Sequence, residues 1–253
     1  MSDLYRSVEL PIGNEFIRGT VRAPGEGRYP AIIFYHGFSM DRVGQRRLHE
    51  EFARECVRNG YVCVRFDFLG LGESDGTFCD MTPSSEVEQA IAIYHWTEQQ
   101  GFVDSNNIVI VGHSLGGTVA AMTAPVVRAK ATVLWAPGFA VYLGAMRRIS
   151  LTKKPVDGGY DIGGMLMGEA YLEDARHLDL VKRASGYEGR RVLLIQGECD
   201  EQVDPASCYL YQDIYGPQMH LEILPGADHQ FTTVQWRHKV YGLTINYIKQ
   251  MVE

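Results

Sequence analysis

Apolar residues along the chain fall into two alternating periods. Short β-branched runs ending in glycine-containing turns give way repeatedly to segments with apolar residues at i, i+3 and i+4, the helical spacing. Two opening strands are predicted at 6–10 and 15–22, turned at Pro11-Ile12-Gly13-Asn14. Residues 30–36 read as a buried strand. A helix over about 42–59 follows, with Leu48, Phe52 and Cys56 stacked at i, i+4 and Gly60 as its stop. The next strand is 61–66. The helix after it carries clear start signals: Thr82 as cap, Pro83 at the first helical position, and a capping box from Ser85 to Glu88. Val87, Ala90, Ile91 and Tyr94 form its inner face. Then come a strand at 107–111, a helix from 115 to about 124 halted before Pro125, and a strand at 131–135. Strands at 191–196 and 220–224 and a closing helix over about 232–251 complete the series. Strands alternating with helices, and apolar on both faces, predict an α/β fold with a mostly parallel sheet covered on both sides.

One connection breaks this rhythm. Residues 139–189 separate two strands, far more chain than a crossover needs. Tyr142, Tyr160, Tyr171, Met146, Met165 and Met167 make the excursion too apolar for a disordered linker. Ordered excursions of this length usually serve function, so 139–189 is expected to be a lid within a single domain, 1–253, with a helix over 172–184 leading back to the core.

Composition narrows the function classes. Lys and Arg number 24 against 31 Asp and Glu, a net charge of −7, so the basic footprint of a nucleic-acid binder is missing. The longest uncharged stretch, 131–146, holds Pro137, Gly138 and Gly144, and no membrane span is expected from it. No apolar run follows the first charges, so no signal peptide is expected. Cys56, Cys63, Cys79, Cys199 and Cys208 are odd in number and scattered, with no Cys-x-x-Cys pair. Reduced thiols and a cytoplasmic location are the expectation.

The strongest chemical signal is Gly112-His113-Ser114-Leu115-Gly116, set directly after a strand and before a helix. Flanking glycines let the chain turn sharply, which raises the Ser114 hydroxyl at the sheet edge above a helix N-terminus. A serine hydroxyl is too weakly acidic to attack an ester unaided, so a base and an orienting acid should follow in the order Ser, acid, His. Of the later histidines, His177 falls in the excursion, His220 in a strand and His238 in the last helix. His229, in Pro225-Gly226-Ala227-Asp228-His229, stands in a loop between the last strand and helix, where such a base belongs. Glu198, Asp200 and Asp204 compete for the acid; Asp200 is preferred because two or three loop residues bring its carboxylate to the imidazole. Asp204 before Pro205 reads as a helix-start turn, and Asp228 is too near His229 in sequence to face it. The oxyanion donors are expected to be the Phe38 amide, after His36-Gly37, and the Leu115 amide.

His36 and His113 read as structural, and the glycine-rich run from Asp67 to Gly76 as a tight loop, since it lacks the Gly-Lys-Ser/Thr of a phosphate cradle. Arg147, Arg148, Lys153 and Lys154 read as a solvated face of the lid rather than an anion site.

Together, His36-Gly37-Phe38, the Asp67–Gly76 run, Gly-His-Ser114-Leu-Gly-Gly, Gly-Glu-Cys-Asp200-Glu-Gln-Val and Gly-Ala-Asp-His229 resemble the α/β-hydrolase superfamily over essentially the whole chain. More narrowly the chain resembles the bacterial cinnamoyl/feruloyl esterases. That resemblance implies an eight-stranded α/β-hydrolase fold and a lid forming one wall of a phenolic acyl pocket, with Tyr171 in Gly168-Glu-Ala-Tyr171-Leu at the place of a ring-contacting lid tyrosine. The lid acid that some members carry is absent from 141–150. The expected activity is cofactor-free hydrolysis of hydroxycinnamoyl or related carboxylic esters through an acyl-enzyme. The expected partner is a small-molecule ester; a homodimer is left open. A monoacylglycerol lipase, a thioesterase or an acyl-peptidase would use the same triad, and a non-catalytic ligand-binding protein could use the same scaffold.

Overall fold

The structure, a computed structural model, describes residues 3–152, 155–156, 158–187 and 191–252. In chain order, β1 (Leu4–Ile12), β2 (Glu15–Ala23) and β3 (Tyr29–Tyr35) precede α1 (Leu48–Arg58), β4 (Val62–Phe66) and α2 (Pro83–Glu98). Next are β5 (Val103–His113), α3 (Leu115–Val127) and β6 (Ala131–Trp135). The excursion then contributes α4 (Val141–Thr152), the short strands β7 (Pro155–Val156), β8 (Gly159–Asp161) and β9 (Leu166–Gly168), and helices α5 (Glu169–His177) and α6 (Leu180–Ala184). The chain closes with β10 (Arg191–Gly197), α7 (Ser207–Tyr215), β11 (Met219–Leu224) and α8 (Val234–Val252).

Eight strands make one sheet in the order β1-β2-β4-β3-β5-β6-β10-β11, antiparallel through the β1–β2 and β2–β4 pairs and parallel from β4 onward. This is the α/β-hydrolase fold. Strand period two divides the core. Ile32, Phe34, Val109, Val111, Val133 and Trp135 face α1 and α8, while Ile33, Tyr35, Ile108, Ile110 and Leu134 face α2, α3, α6 and α7. Trp135 anchors the first layer, edge-on to Phe34 and Phe52, with its indole N–H donated to Thr244 Oγ1 at 2.9 Å. The parallel run puts the carboxyl ends of β4, β3, β5, β6, β10 and β11 on one edge, where open α/β sheets gather their ligand-binding loops.

Several helix ends differ from expectation, each for a local reason. The helix expected from 42 begins at Leu48, because Asp41 Oδ1 accepts from the Val43 and Gly44 amides, and Arg46 and Arg47 adopt positive φ. Thr82 does cap α2, accepting from the Ser85 amide at 3.2 Å, while the Ser85 hydroxyl donates to the Thr82 carbonyl within the first turn, so Ser85 is not the start of a box to Glu88. α3 continues past Pro125 to Val127 and ends where Arg128 turns left-handed. The single helix expected over 172–184 is two, divided where Asp179 accepts from the Lys182 amide and starts a new one.

Candidate active site

Ser114 lies between β5 and α3 with φ 57° and ψ −122°, a conformation that side chains other than glycine rarely adopt and that costs on the order of 1–3 kcal/mol. Its surroundings explain both the strain and the glycines. A Cβ on Gly112 would lie 2.0 Å from the Gly116 carbonyl oxygen, and one on Gly116 would lie 2.3 Å from the His36 and Tyr35 carbonyls. The Ser114 amide donates to the Trp135 carbonyl at 2.9 Å, pinning the turn to β6. Ser114 thus stands at the carboxyl edge of β5 over the N-terminus of α3, whose dipole favours negative charge there.

Asp200 and His229 come from the loops after β10 and β11. His229 Nδ1 donates to Asp200 Oδ2 at 2.7 Å, and Gln196 Nε2 donates to the same oxygen at 3.0 Å. The other oxygen accepts from the Gln202 and Val203 amides at 2.9 and 2.8 Å. Burial alone would push the Asp200 carboxyl up. The hydrogen bond and charge of His229, with the two amides, outweigh burial and hold it below the usual carboxylate range. The competing acids are engaged elsewhere. Glu198 accepts from the Gly226 amide, Asp204 from Ala206 at the start of α7, and Asp228 from Gln230 and Thr232.

The histidines read as structural have defined neighbours. His36 donates Nδ1–H to the Gly37 carbonyl and accepts the Phe68 amide at Nε2, so its tautomer is set. His113 donates Nε2–H to the His229 carbonyl at 2.9 Å and lies 3.2 Å from His49 Nε2, holding the backbone of the His229 loop. Burial, then the nearby His229, drops His113 to about 3 and keeps it neutral. The Asp67–Gly76 run wraps the Asp67 carboxylate, which accepts from the Arg42 and Glu73 amides and pairs with the Arg42 guanidinium. It is a tight loop.

Ser114 opens onto two cavities. The smaller, about 370 Å³, is lined by Phe38, Met40, Gln45, His229 and Gln230 among others. The larger, about 500 Å³, is walled by Phe38, Leu115, Phe139, Val141, Leu143, Tyr171 and Leu210, an apolar set. Ser114, His229, Phe38, Leu115 and Tyr171 therefore share one site, with Asp200 buried behind His229. Tyr171 is buried, its ring edge-on to Phe38 at 5.2 Å, and burial raises its phenol. Arg148 departs from its expected solvated position. It is half-buried, lines both cavities, and sets its guanidinium 5.1 Å from the Phe38 ring centroid. Lys153 and Lys154 lie outside the described residues. The sequence did not point to Gln196, the second side-chain donor to Asp200; a glutamine at a strand end carries no signal of that role. Among the described residues no group of His, Cys, Asp and Glu is gathered to hold a metal, and no helix is long and apolar enough to cross a membrane.

The profile of the Alpha/beta hydrolase family matches residues 32–241, and the chain belongs to that family. An uncharacterized 31.7 kDa protein of Escherichia coli is 37% identical over 106 residues, 41% of this chain and 36% of that protein. Human palmitoyl-protein thioesterase ABHD10 is 34% identical over 93 residues, 36% of this chain and 28% of the thioesterase. The matched stretches thus span about a third of these relatives' length. Among solved structures, Est1E from Butyrivibrio proteoclasticus with ferulic acid bound superimposes with a TM-score of 0.81 at 19% identity, covering 97% of this chain and 99% of that one. The α/β hydrolase GrgF from Penicillium gives 0.81 at 17%, covering 98% and 99%. At these identities the likeness is one of fold.

Proposed function

We propose that the protein is a serine carboxylesterase in which Ser114, His229 and Asp200 act as a triad. Ser114 Oγ attacks the ester carbonyl while His229 Nε2 takes its proton, and the Phe38 and Leu115 amides donate to the oxyanion. Asp200 holds the imidazole with Nδ1–H toward itself and stabilises the cation that forms. The intermediate collapses, the alcohol leaves with the proton from His229, and an acyl group remains on Ser114. Water then gives a proton to His229 and attacks the acyl carbon, releasing the acid and restoring the Ser114 hydroxyl. The observation that carries this reading is the 2.7 Å Asp200–His229 hydrogen bond, at the edge where a strained Ser114 faces the same cavity as His229.

Residues 139–189 act as the lid in this reading, with α4 and Tyr171 on the wall of the larger cavity. Hydroxycinnamoyl esters are the substrate class we assign first, supported by the aromatic pair Phe38–Tyr171 and by the fold likeness to Est1E. A thioesterase or lipase is the second reading, favoured by exposed Leu143 and Leu210 on that wall and by the partial match to ABHD10. Initial rates on methyl ferulate, a monoacylglycerol and an acyl thioester separate the two. Ser114→Ala is expected to lower hydrolysis of a chromogenic short-chain ester by on the order of 10⁴-fold or more while the circular dichroism and melting curve are retained. A folded variant of undiminished activity would overturn the mechanism.

A further inference from the structure

Arg148 is in an unusual position for its type. Arg18, Arg22, Arg42, Arg65 and Arg237, the other buried or half-buried arginines among the described residues, each have a carboxylate within salt-bridge distance. Arg148 has none among the described residues. Its one described hydrogen bond runs from Nη2 to Gln202 Oε1 at 3.3 Å, a neutral acceptor, which leaves most of a five-donor fork uncommitted. The carboxylates that line the two cavities are engaged locally: Asp41 accepts from the Val43 and Gly44 amides, and Asp204 from Ala206. Removing a guanidinium from water without an anion is unfavourable. Burial, reinforced by neighbouring Arg147, accordingly pulls the pKa of Arg148 below its usual value. The ring of Phe38 beneath it offsets part of that cost, and holds the fork where the two cavities meet beside Ser114.

We propose that Arg148 is the anion-recognising residue of the site, and that the preferred substrate is an ester bearing a carboxylate a few atoms from the scissile carbonyl. The inference rests on the esterase reading above and adds a charge requirement to its substrate, whichever acyl chain the larger cavity takes. A guanidinium fork matches a carboxylate with two parallel N–H···O bonds, and it does so best where water is partly excluded, as it is here. The apolar walls of the larger cavity take the hydrocarbon that links the carboxylate to the ester. Arg148 turned inward from α4 then makes the lid a reader of charge, in contrast to its expected role as a solvated face.

The test compares matched ester pairs that differ only in that charge. Monoethyl and diethyl esters of the four- to seven-carbon dicarboxylic acids place the anion on the acyl side. Butyryloxyacetate and its methyl ester place it on the alcohol side. Wild type is expected to show a higher kcat/KM for the charged member in one of the two arms, and the size of the pair interaction puts that preference at about 10- to 100-fold. Arg148→Met keeps the stem on Phe38 but removes the fork, so the charged-to-neutral ratio should fall by that factor. Arg148→Lys should restore part of it, and added salt should weaken what remains. A wild type that prefers neutral esters in both arms, or a ratio unmoved by Arg148→Met, overturns the proposal and leaves Arg148 as packing on Phe38. Labelling with a fluorophosphonate separates this failure from failure of the esterase reading. Protein that labels at Ser114 yet ignores charge rejects only the anion assignment, whereas wild type that does not label removes the esterase reading itself.

Discussion

At Ser114 the sequence pattern and the local geometry have one cause. Gly112 and Gly116 are required because two backbone segments approach within the space a Cβ would fill, and that approach forces Ser114 into positive φ. Gly112→Ala is therefore expected to destabilise the fold by about 3 kcal/mol or more, since the clash is with backbone and no rotamer relieves it. Urea denaturation measures this, and a loss below about 1 kcal/mol would show that the turn relaxes freely. Such a motif is legible because steric necessity leaves its mark on residue type. Loop length after β10 pointed to Asp200 as the partner of His229, whereas the amides that take up Glu198, Asp204 and Asp228 are contacts only the folded loops reveal. Arg148 was not legible in the sequence. Whether an arginine on an amphipathic helix faces water or a cavity depends on how α4 rotates against the sheet edge, and a helix of mixed apolar and basic residues does not encode that rotation.

At the scale of elements, the packing of α2 buries a carboxyl with no hydrogen-bond partner among the described residues. Neither oxygen of Glu86 finds a hydrogen bond among the described residues, and burial pushes its carboxyl from 4.5 up to about 8. Between these values the folded protein holds a proton that the unfolded chain has released. The contribution is fully present below 4.5 and is lost as pH rises through 8. Wild type should therefore lose stability relative to Glu86→Gln across that window, by on the order of 2–3 kcal/mol at pH 7. Melting temperatures measured from pH 5 to 8 check this, and parallel curves for the two proteins would contradict it. Element type was readable from period along most of the chain, whereas element ends were not. The start of α1 is set by Asp41 and by the Asp67 loop that takes the Arg42 amide, contacts between segments distant in sequence. The end of α3 is set by a left-handed Arg128, a position where glycine or asparagine would have announced the turn.

For the whole molecule, alternation of strand and helix was enough to imply the parallel sheet, because strands buried on both faces must be apolar throughout. Strand order was not encoded in any local pattern. It follows from crossovers that carry β4 to one side of β3 and β5 to the other, which brings six strand ends to one edge. The consequence is geometric: Phe38, Ser114 and His229 come from three separate loops and still line one pair of cavities, with Asp200 from a fourth loop buried behind His229. The acidic net charge names no ligand, and the specificity we propose resides in the excursion over that edge. We propose Ser114 as the activated nucleophile of this site. Intact-mass and peptide analysis after exposure to a fluorophosphonate tests it most directly. One adduct per chain is expected, located on Ser114 and absent from Ser114→Ala, with ester turnover lost in step with labelling; an unlabelled protein, or a label on another residue with turnover kept in Ser114→Ala, would contradict the assignment of Ser114.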